Sequence, residues 1–473
     1  MKRHMVKLAL AASVIMLFSI MTGCEDAIQD PPDDSGDDPR VNPNPPNANE
    51  MIVHQTLIGD ADEWTSIWHI IDSGDGAFYF RGFYRDRYAL GKLDDTGQEE
   101  WIYRSKYSVR DIVRLSGFSG DLANSLLSVG GYDSDIDGET DTGYVTLLNS
   151  AGNVIDELTF SVDAARVWLH AVAVSETSDT LCHLLAAGRA EMAGILYPYV
   201  ARFTVSSDGT MQNLDEMIFL NEPTMYFDNV LFDFAQSPSV CYLSGGSYSD
   251  DTGYGNQTVY RLSEVLEIAW SADIVPEAGL QSWTSSGSGL LHLGNQVFLA
   301  GTTDIAKENN PSGGEYWEAA VVACVSTDGS VDWVRTVALS QYSESSDSCY
   351  LSDNILYVTG RCSSHLVTDT KARFGNALLL KVDPESGDVL SDLSFGSEHY
   401  ASGFNDIIVR GGRAFAVGYT NARVVNGPYQ GWFVVIDLNV APVVARPSIE
   451  VPGPARDRQP RDRRHQWGGP SGE

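Results

Sequence analysis

Residues 354–360 read NILYVTG and residues 377–387, beyond a loop, read ALLLKVDPESG. Two apolar runs, with a glycine closing the first and an Asp- and Gly-containing turn after the second, are typical of consecutive antiparallel strands. The same phrase recurs along the chain, and its run-ending glycines are Gly82, Gly130, Gly188, Gly245, Gly301, Gly360 and Gly418. Their separations are 48, 58, 57, 56, 59 and 58 residues, so seven copies fill residues 52–440.

The complete copies contain the pattern of four short strands. The third strands are predicted at 88–93, 144–148, 200–203, 259–262, 320–325, 377–382 and 432–436, and fourth strands follow at positions such as 99–103 and 331–336. Four strands per copy, without a 3.6-residue apolar period, predict one blade of a β-propeller. The seventh copy lacks a fourth strand, whereas an unpaired strand at 51–58 precedes the first copy. We therefore predict an all-β, seven-bladed propeller of four-stranded antiparallel blades whose ring is closed by the N-terminal strand.

The repeated phrase resembles a known family, the SBBP-type propeller repeats of secreted and lipid-anchored bacterial envelope proteins. The matching segments are 354–360 with 377–387, and 76–82 with LGKLDDTGQEEW at 90–101. The resemblance covers most of residues 51–440. It implies a seven-bladed propeller in the cell envelope, but it implies no particular activity, since propellers host many activities.

A second, more limited resemblance concerns the segment KLDDTG at 92–97 together with Trp101. It is similar to the docking phrase of quinoprotein-like propeller lipoproteins, one of which assists outer-membrane protein assembly. Asp328, Gly329 and Trp333 match some of the same phrase.

The amino-terminal sequence predicts export of the protein to the cell envelope. Three basic residues precede an apolar run at 8–21, which is too short to span a bilayer as a permanent helix. The following MTGC resembles a lipobox, and the resemblance implies that Cys24 is lipidated and becomes the mature amino terminus. Residues 1–23 are therefore predicted to be a lipoprotein signal peptide, and the acidic, Pro-rich segment 24–50 a tether.

Residues 441–473 differ in character from the rest of the chain. They are basic and Pro-rich and lack a strand pattern, and we predict a disordered tail. A basic arm that contacts anionic envelope polymers and a passively tolerated extension are both consistent with this composition.

Composition limits the possible partners. The chain has 31 basic and 64 acidic residues and a net charge of −33, so its surface as a whole repels phosphate groups and nucleic acid is excluded as a partner. No HExxH, GxSxG, phosphate-binding loop or paired CxxC motif occurs. The absence of a catalytic motif favours a protein that is not an enzyme, without deciding the matter.

The sharpest local motif is an acidic loop. Oxygen-bearing side chains at Asp133, Asp135, Asp137 and Asp141, with Gly138 at the turn, form the pattern that a hard cation requires from a short loop. The motif is similar to the calcium loops of integrin-type propellers, and it predicts a Ca²⁺ site. The alternative is a solvated acidic turn.

Aligning the first predicted strands places one polar residue before each apolar run. These residues are His69, Asp111, His170, Asn229, Ser348 and Asp406, with Gly289 in the fifth copy. In a propeller they would ring the central channel and could bind a metal or a polar ligand. The alternative is that they satisfy backbone groups and channel waters.

These features together predict a non-catalytic, envelope-anchored lipoprotein whose propeller binds or scaffolds a protein or a glycan. The membrane is the other expected partner, through the lipid anchor, and the outer membrane is the expected location, with a periplasmic or surface-exposed propeller. The alternatives are a polysaccharide-acting or quinoprotein-like enzyme that uses the channel, and an assembly-factor scaffold for outer-membrane proteins. Aromatic residues after the glycines, including Tyr199 and Tyr419, are candidates for a recognition face.

Overall fold

Seven antiparallel sheets follow one another along the chain and form the blades of a ring. The computed structural model describes residues 48–60, 62–85, 87–131, 142–162, 165–221, 225–233, 240–247, 257–275, 282–283, 289–306, 316–337, 344–363, 375–396, 401–421 and 428–440. In these ranges the helical structure consists of two single 3₁₀ turns, Asn49–Met51 and Gly120–Leu122. The predicted all-β class is therefore confirmed.

The blades are built from consecutive strands. Blade 1 contains Thr65–Asp72, Phe78–Tyr84, Arg87–Leu93 and Glu99–Arg104, and blade 2 contains Ser108–Leu115, Ser125–Gly131, Gly143–Leu148 and Val154–Phe160. Blade 3 contains Ala165–Thr177, Leu181–Met192, Ile195–Ser206 and Met211–Ile218, and blade 4 contains Met225–Asp233, Val240–Ser247, Gln257–Leu262 and Ile268–Ile274. Blade 5 contains Ser282–Trp283 and Leu290–Leu293, both paired with Gln296–Ala306, followed by Tyr316–Ser326 and Val331–Val337. Blade 6 contains Glu344–Ser352, Ile355–Ser363, Gly375–Val382 and Val389–Phe395.

Blade 7 joins the two ends of the ring. It contains Ser402–Arg410, Arg413–Thr420 and Gln430–Asp437, and its fourth strand is Ile52–Ile58 from the start of the domain. The closing strand pairs antiparallel with Gln430–Asp437, with Leu57 opposite Trp432. The predicted closure by the N-terminal strand is confirmed, and its physical effect is to pair two edges that would otherwise be exposed.

The strand order defines two ends of the ring. Every first strand begins, and every second strand ends, at one end, which we call the loop end because the connections from second to third strands lie there. The hairpins that join first to second and third to fourth strands lie at the opposite end, the turn end.

The repeated glycine is explained by a bulge in the first strand. In blade 2, Val109 pairs with Gly130 and Asp111 pairs with Val129, so Arg110 is an extra residue. A Cβ atom on Gly130 would lie 1.7 Å from the carbonyl oxygen of Ser108. The same carbonyl contact, at 1.8 to 2.2 Å, would occur at Gly82, Gly188, Gly245, Gly360 and Gly418. Glycine is required at these positions because the bulge brings two backbones together.

Three outer-strand tryptophans fasten one blade to the next. Each indole N–H donates to a carbonyl oxygen in the turn between the third and fourth strands of the following blade, and each ring packs on the glycine of that turn. The bonds are Trp101 to Ser150 (3.0 Å), Trp270 to Thr327 (3.2 Å) and Trp333 to Pro384 (3.2 Å). Trp101 and Trp333 belong to the docking phrases noted in the sequence, whereas Trp270 was not predicted.

The same kind of contact is made at the closure without a tryptophan. His54 Nε2 and Thr56 Oγ1, both in the closing strand, donate to the carbonyl oxygen of Thr96 in blade 1 at 2.9 and 2.8 Å. The closing strand is therefore fixed on both sides, by its ladder with blade 7 and by its contact with blade 1.

Two further observations concern membrane-spanning helices and the cysteines. No helix within the described residues is long and apolar enough to cross a membrane. Five buried cysteines are thiols, namely Cys182, Cys241, Cys324, Cys349 and Cys362. Burial raises the pKa of the Cys241 thiol well above its ordinary value, so it has little thiolate character at neutral pH.

Candidate functional site

Six first strands carry the extra residue of a bulge at the same level of the ring. We call this set the bulge ring: Trp68, Arg110, His170, Asp228, Asp347 and Asn405. A bulge locally re-aims a side chain, and bulges are over-represented next to active sites. The fold therefore presents one re-aimed side chain from each of six blades around the channel.

Five of the six predicted channel residues occupy the position after the bulge. We call these the inner ring: His69, Asp111, Asn229, Ser348 and Asp406. His170 differs, because it is itself the bulged residue and Ala171 occupies the inner-ring position of blade 3. An alignment by polarity misses this shift, because the sequence does not show where a strand gains its extra residue.

Asp406 of the inner ring joins three blades. Its Oδ2 lies 2.6 Å from Nδ1 of His69 and accepts a hydrogen bond of 2.8 Å from the backbone N–H of Ile70, both in blade 1. Its Oδ1 accepts from Ser348 Oγ of blade 6 at 2.5 Å. Asp406 is 2% exposed and Ser348 fully buried, so these bonds satisfy polar groups that would be costly to bury alone.

Asp111 of blade 2 has a similar role. Its Oδ2 accepts from the backbone N–H of Val172 in blade 3 at 2.9 Å, and its Oδ1 lies 3.8 Å from His69 Nε2. Burial raises the pKa of Asp111, although the charges of His69 and Arg81 lower it. The His69 ring therefore lies between two carboxylates, with one on each side.

Arg81 lies beside the same carboxylates. It is 3% exposed, and within the described residues of the chain its Nε and Nη2 atoms are buried and have no hydrogen-bond partner. Burial lowers the pKa of Arg81 to about 10. The negative charges of Asp111 and Asp406 raise this pKa, and the positive charge of Arg110 lowers it. Its guanidinium lies 5.9 Å from the centre of the Trp68 ring.

The fifth inner-ring residue bonds within its own blade. Asn229 Nδ2 donates to Ser244 Oγ at 2.8 Å. Among the residues that the structure describes, no group of three or more His, Cys, Asp or Glu side chains could hold a metal ion. The inner-ring side chains thus form hydrogen bonds that either join neighbouring blades or, for Asn229, lie within one blade.

Two half-buried tryptophans lie in bulged first strands, each with an arginine over its ring. Trp68 is the bulge residue of blade 1, and Trp168 lies two residues before the bulge of blade 3. In blade 1, Trp68 contacts Phe83 and Tyr88, with ring centres 6.2 and 5.8 Å apart, and Arg81 lies over it. In blade 3, the Arg189 guanidinium lies 4.8 Å from the centre of Trp168. Such stacking orients both partners, so the rings are held in place before any ligand arrives.

A His–Asp pair lies next to the second tryptophan. His170 Nδ1 lies 2.9 Å from Asp228 Oδ1, which joins the bulges of blades 3 and 4, and the Tyr226 ring lies 6.4 Å from the histidine. Burial lowers the pKa of His170; the bond to Asp228 raises it, and the charges of Arg189 and Arg110 lower it. Asp228 was missed in the sequence, where its signal is two adjacent polar residues within an otherwise apolar strand.

Other predicted site residues lie elsewhere. Asp133, Asp135, Asp137 and Asp141 fall between the second and third strands of blade 2 and, like Cys24, lie outside the described residues.

The predicted aromatic recognition face is only partly available. Tyr199 is fully buried and its hydroxyl donates to Glu216 Oε2 at 2.5 Å, so including it in that face was wrong. Tyr419 is half-buried and packs on Tyr429, with ring centres 4.9 Å apart.

A separate concavity lies at the turn end. A cavity of 1410 Å³ is lined by blades 2, 3 and 4, with Val174, Leu214 and Phe232 among its apolar residues. Its charged lining includes Arg202 and Asp215, which form an ion pair of 2.5 Å with each other. The stacked aromatic and cationic side chains of blades 1 and 3 lie apart from this cavity, towards the loop end.

No protein-family model and no curated protein matches the sequence. Among solved structures, the chain is similar to the polysaccharide lyase Uly1, with 7% identity, a TM-score of 0.47, and coverage of 82% of this chain and 100% of that one. It is also similar to Drosophila Plexin A in complex with Semaphorin 1b, with 8% identity, a TM-score of 0.43 and coverage of 84% and 88%. It is also similar to the Dos1 propeller, with 11% identity, a TM-score of 0.38, and coverage of 78% of this chain and 77% of that one. Similarities of this extent do not bear on what the chain binds. Its own fold and bulge ring define a β-propeller with a candidate site at the loop end of the channel.

Proposed function

We propose that the protein is a non-catalytic binding module of the bacterial cell envelope and that it holds a glycan at the loop end of its propeller. The observation that carries the proposal is the pair of half-buried tryptophans on bulged first strands, Trp68 and Trp168, each held by an arginine of the second strand. The two rings belong to blades 1 and 3 and have the exposed bulge residue Arg110 of blade 2 between them along the ring.

Stacked indoles suit a sugar for a simple physical reason. One face of a pyranose ring consists largely of C–H groups, and an indole offers a flat apolar surface of matching size with a polar edge. A ring already fixed by its neighbours loses little conformational entropy on binding. Because both tryptophans are half-buried beside a channel, they suit the narrow chain of a glycan better than the broad surface of a protein partner, which needs about 800 Å² on each side.

The competing function is a polysaccharide-acting or quinoprotein-like enzyme. It would need inner-ring groups to reach a substrate, and the best placed are His69 and Asp406. These residues are 8% and 2% exposed and are bonded to each other across two blades. Their engagement between blades favours the binding function over the enzymatic one.

The test measures the binding of the full-length chain to immobilised neutral and acidic polysaccharides. We expect Trp68→Leu combined with Trp168→Leu to abolish retention, and to lower the melting temperature as well, because both rings are packed on their neighbours. The matched control is Trp270→Leu, which removes the bond to Thr327 in the next blade. It should lower the melting temperature and leave retention intact.

Three outcomes would contradict the proposal. Retention that survives the double substitution would place the ligand elsewhere. Turnover of a retained polysaccharide would establish the enzymatic alternative. Stable co-purification with outer-membrane assembly proteins, without glycan retention, would favour the assembly-factor scaffold.

We further propose that the propeller is tethered to the outer membrane through a lipid on Cys24. Support comes from the lipobox-like segment and from the acidic, Pro-rich composition of residues 24–50. A tether of this composition would hold the propeller away from the membrane surface and leave its loop end accessible to envelope polymers.

A further inference from the structure

A cationic cluster at the loop end stands out against the charge of the whole chain. The net charge is −33, yet Arg81 and Arg189 lie over the tryptophans of blades 1 and 3, and Arg110 is the bulge residue of blade 2 between them along the ring. Arg110 is exposed and Arg189 half-buried. Arg110 and His170 are the bulge residues of adjacent blades, and Arg189 is paired with Trp168, two residues before His170.

Two acids near this cluster, Asp228 and Asp111, are engaged in hydrogen bonds within the described part of the chain. Asp228 is 5% exposed and bonded to His170, and Asp111 accepts backbone hydrogen bonds from Ile112 and Val172. Arg110, which is exposed, is therefore the member of the cluster most accessible to a ligand, and Arg189 is half-buried. Fixed charges of one sign at the mouth of a low-dielectric channel focus the field and attract the opposite charge.

Like charges held close together cost free energy in the unliganded protein, and a bound anion offsets that cost. Arg81 adds a second observation, because its Nε and Nη2 atoms are buried and have no hydrogen-bond partner among the described residues. Its guanidinium lies 5.9 Å from the centre of the Trp68 ring. A guanidinium matches a planar carboxylate in shape and can bind it with two parallel hydrogen bonds.

We infer that the glycan held at the loop end is a carboxylate-bearing one, a polymer of uronic acid units, and that Arg110 and Arg189 bind its carboxylates while Trp68 and Trp168 stack on its rings. This inference rests on the proposed function and adds the charge class of the ligand. It assigns specificity to the arginines and stacking energy to the tryptophans, so the two contributions can be measured separately.

The experiment is affinity electrophoresis of the full-length chain in gels containing polygalacturonate or alginate, each run beside its methyl-esterified form. Esterification keeps the sugar and removes the charge. We expect retention by the acids and little by the esters. Arg110→Ser should weaken retention about tenfold, equivalent to about 1.4 kcal/mol, and Arg189→Ser should do the same. Arg413→Ser is the matched control, since Arg413 is an exposed arginine in the hairpin at the turn end of blade 7.

Each result decides a different point. Equal retention of acid and ester, or of neutral glycans, would overturn the inference and leave the proposed function standing. Retention of no glycan of any kind would overturn both. A preference for sulfated galactan over the uronates would overturn the assignment to carboxylates, and unchanged retention of Arg110→Ser would overturn the assigned residue. Because Arg110 is exposed, its variant is expected to fold normally, and an unchanged melting temperature checks this.

Discussion

Replacing Gly130 with alanine tests the bulge that underlies both the repeat and the candidate site. The new Cβ would lie 1.7 Å from the carbonyl oxygen and 2.7 Å from the carbonyl carbon of Ser108. An ordinary contact between a carbon and an oxygen needs more than 3 Å, so the backbone of blade 2 must move by more than 1 Å or the bulge must be lost. No side-chain rotation can relieve the contact, because the obstructing atoms belong to the main chain.

The expected cost follows from the nature of the contact. Overpacking a core usually costs about 1 to 3 kcal/mol, and a clash with backbone belongs at the upper end, about 3 kcal/mol. Unfolding entropy of about 2.1 cal/mol/K per residue, over a ring of about 390 residues, gives about 0.8 kcal/mol/K. The melting temperature of Gly130→Ala should therefore fall by about 4 °C.

The assay is differential scanning calorimetry of the full-length chain, with Gly301→Ala as the control. Gly301 holds the same place in the repeat of blade 5, but a Cβ there would meet the amide end of the Gln257 side chain, at 2.7 Å. A side chain can adjust, so the control should lose about 1 °C or less. Equal shifts for the two variants, or no shift for Gly130→Ala, would refute the argument that the bulge requires glycine.

Three further outcomes are expected. Burial tends to raise the pKa of Asp75, but hydrogen bonds from Lys92, Ser73 and a backbone amide lower it to about 2, from the usual 3.8. The ionised carboxylate therefore stabilises the fold above about pH 4, and this stabilisation is lost as the pH falls towards 2. Asp75→Asn should make the melting temperature depend less on pH between these two values. Cys24→Ser should move the protein from the membrane to the soluble fraction, and unchanged fractionation would refute the lipid anchor. Calcium should raise the melting temperature and EDTA lower it, and Asp135→Ala combined with Asp137→Ala should remove the response; a melting curve that ignores EDTA would show the loop to be a solvated turn.

The number of blades could be predicted because one backbone constraint recurs in the sequence. Each bulge requires a glycine opposite it, so six of the seven repeated glycines record a bulge, and the spacing of all seven counts the blades. The closing strand could also be predicted, since the seventh copy lacks a partner that the segment before the first copy supplies. These features have local sequence signals that do not depend on contacts between blades.

The candidate site was harder to predict, because its residues meet through the ring. His170 was aligned with the inner ring, although it belongs to the bulge ring, because the inner-ring position of blade 3 is the apolar Ala171 and the polar residue before it was aligned instead. Asp228 was missed because its partner lies on another blade, 58 residues earlier. Trp270 makes the same contact as Trp101, yet it follows the residues IA in place of two acids and so escapes a motif search.

The most direct test of the account is hydrogen–deuterium exchange of the full-length chain with and without oligogalacturonate. The account predicts slower exchange in the loop-end segments of blades 1 to 3, at residues 65–70, 105–110 and 165–170, and loss of that protection in the Trp68→Leu, Trp168→Leu double variant. Protection confined to the turn end, at residues 174–185 and 230–232 around the cavity of blades 2 to 4, would contradict it.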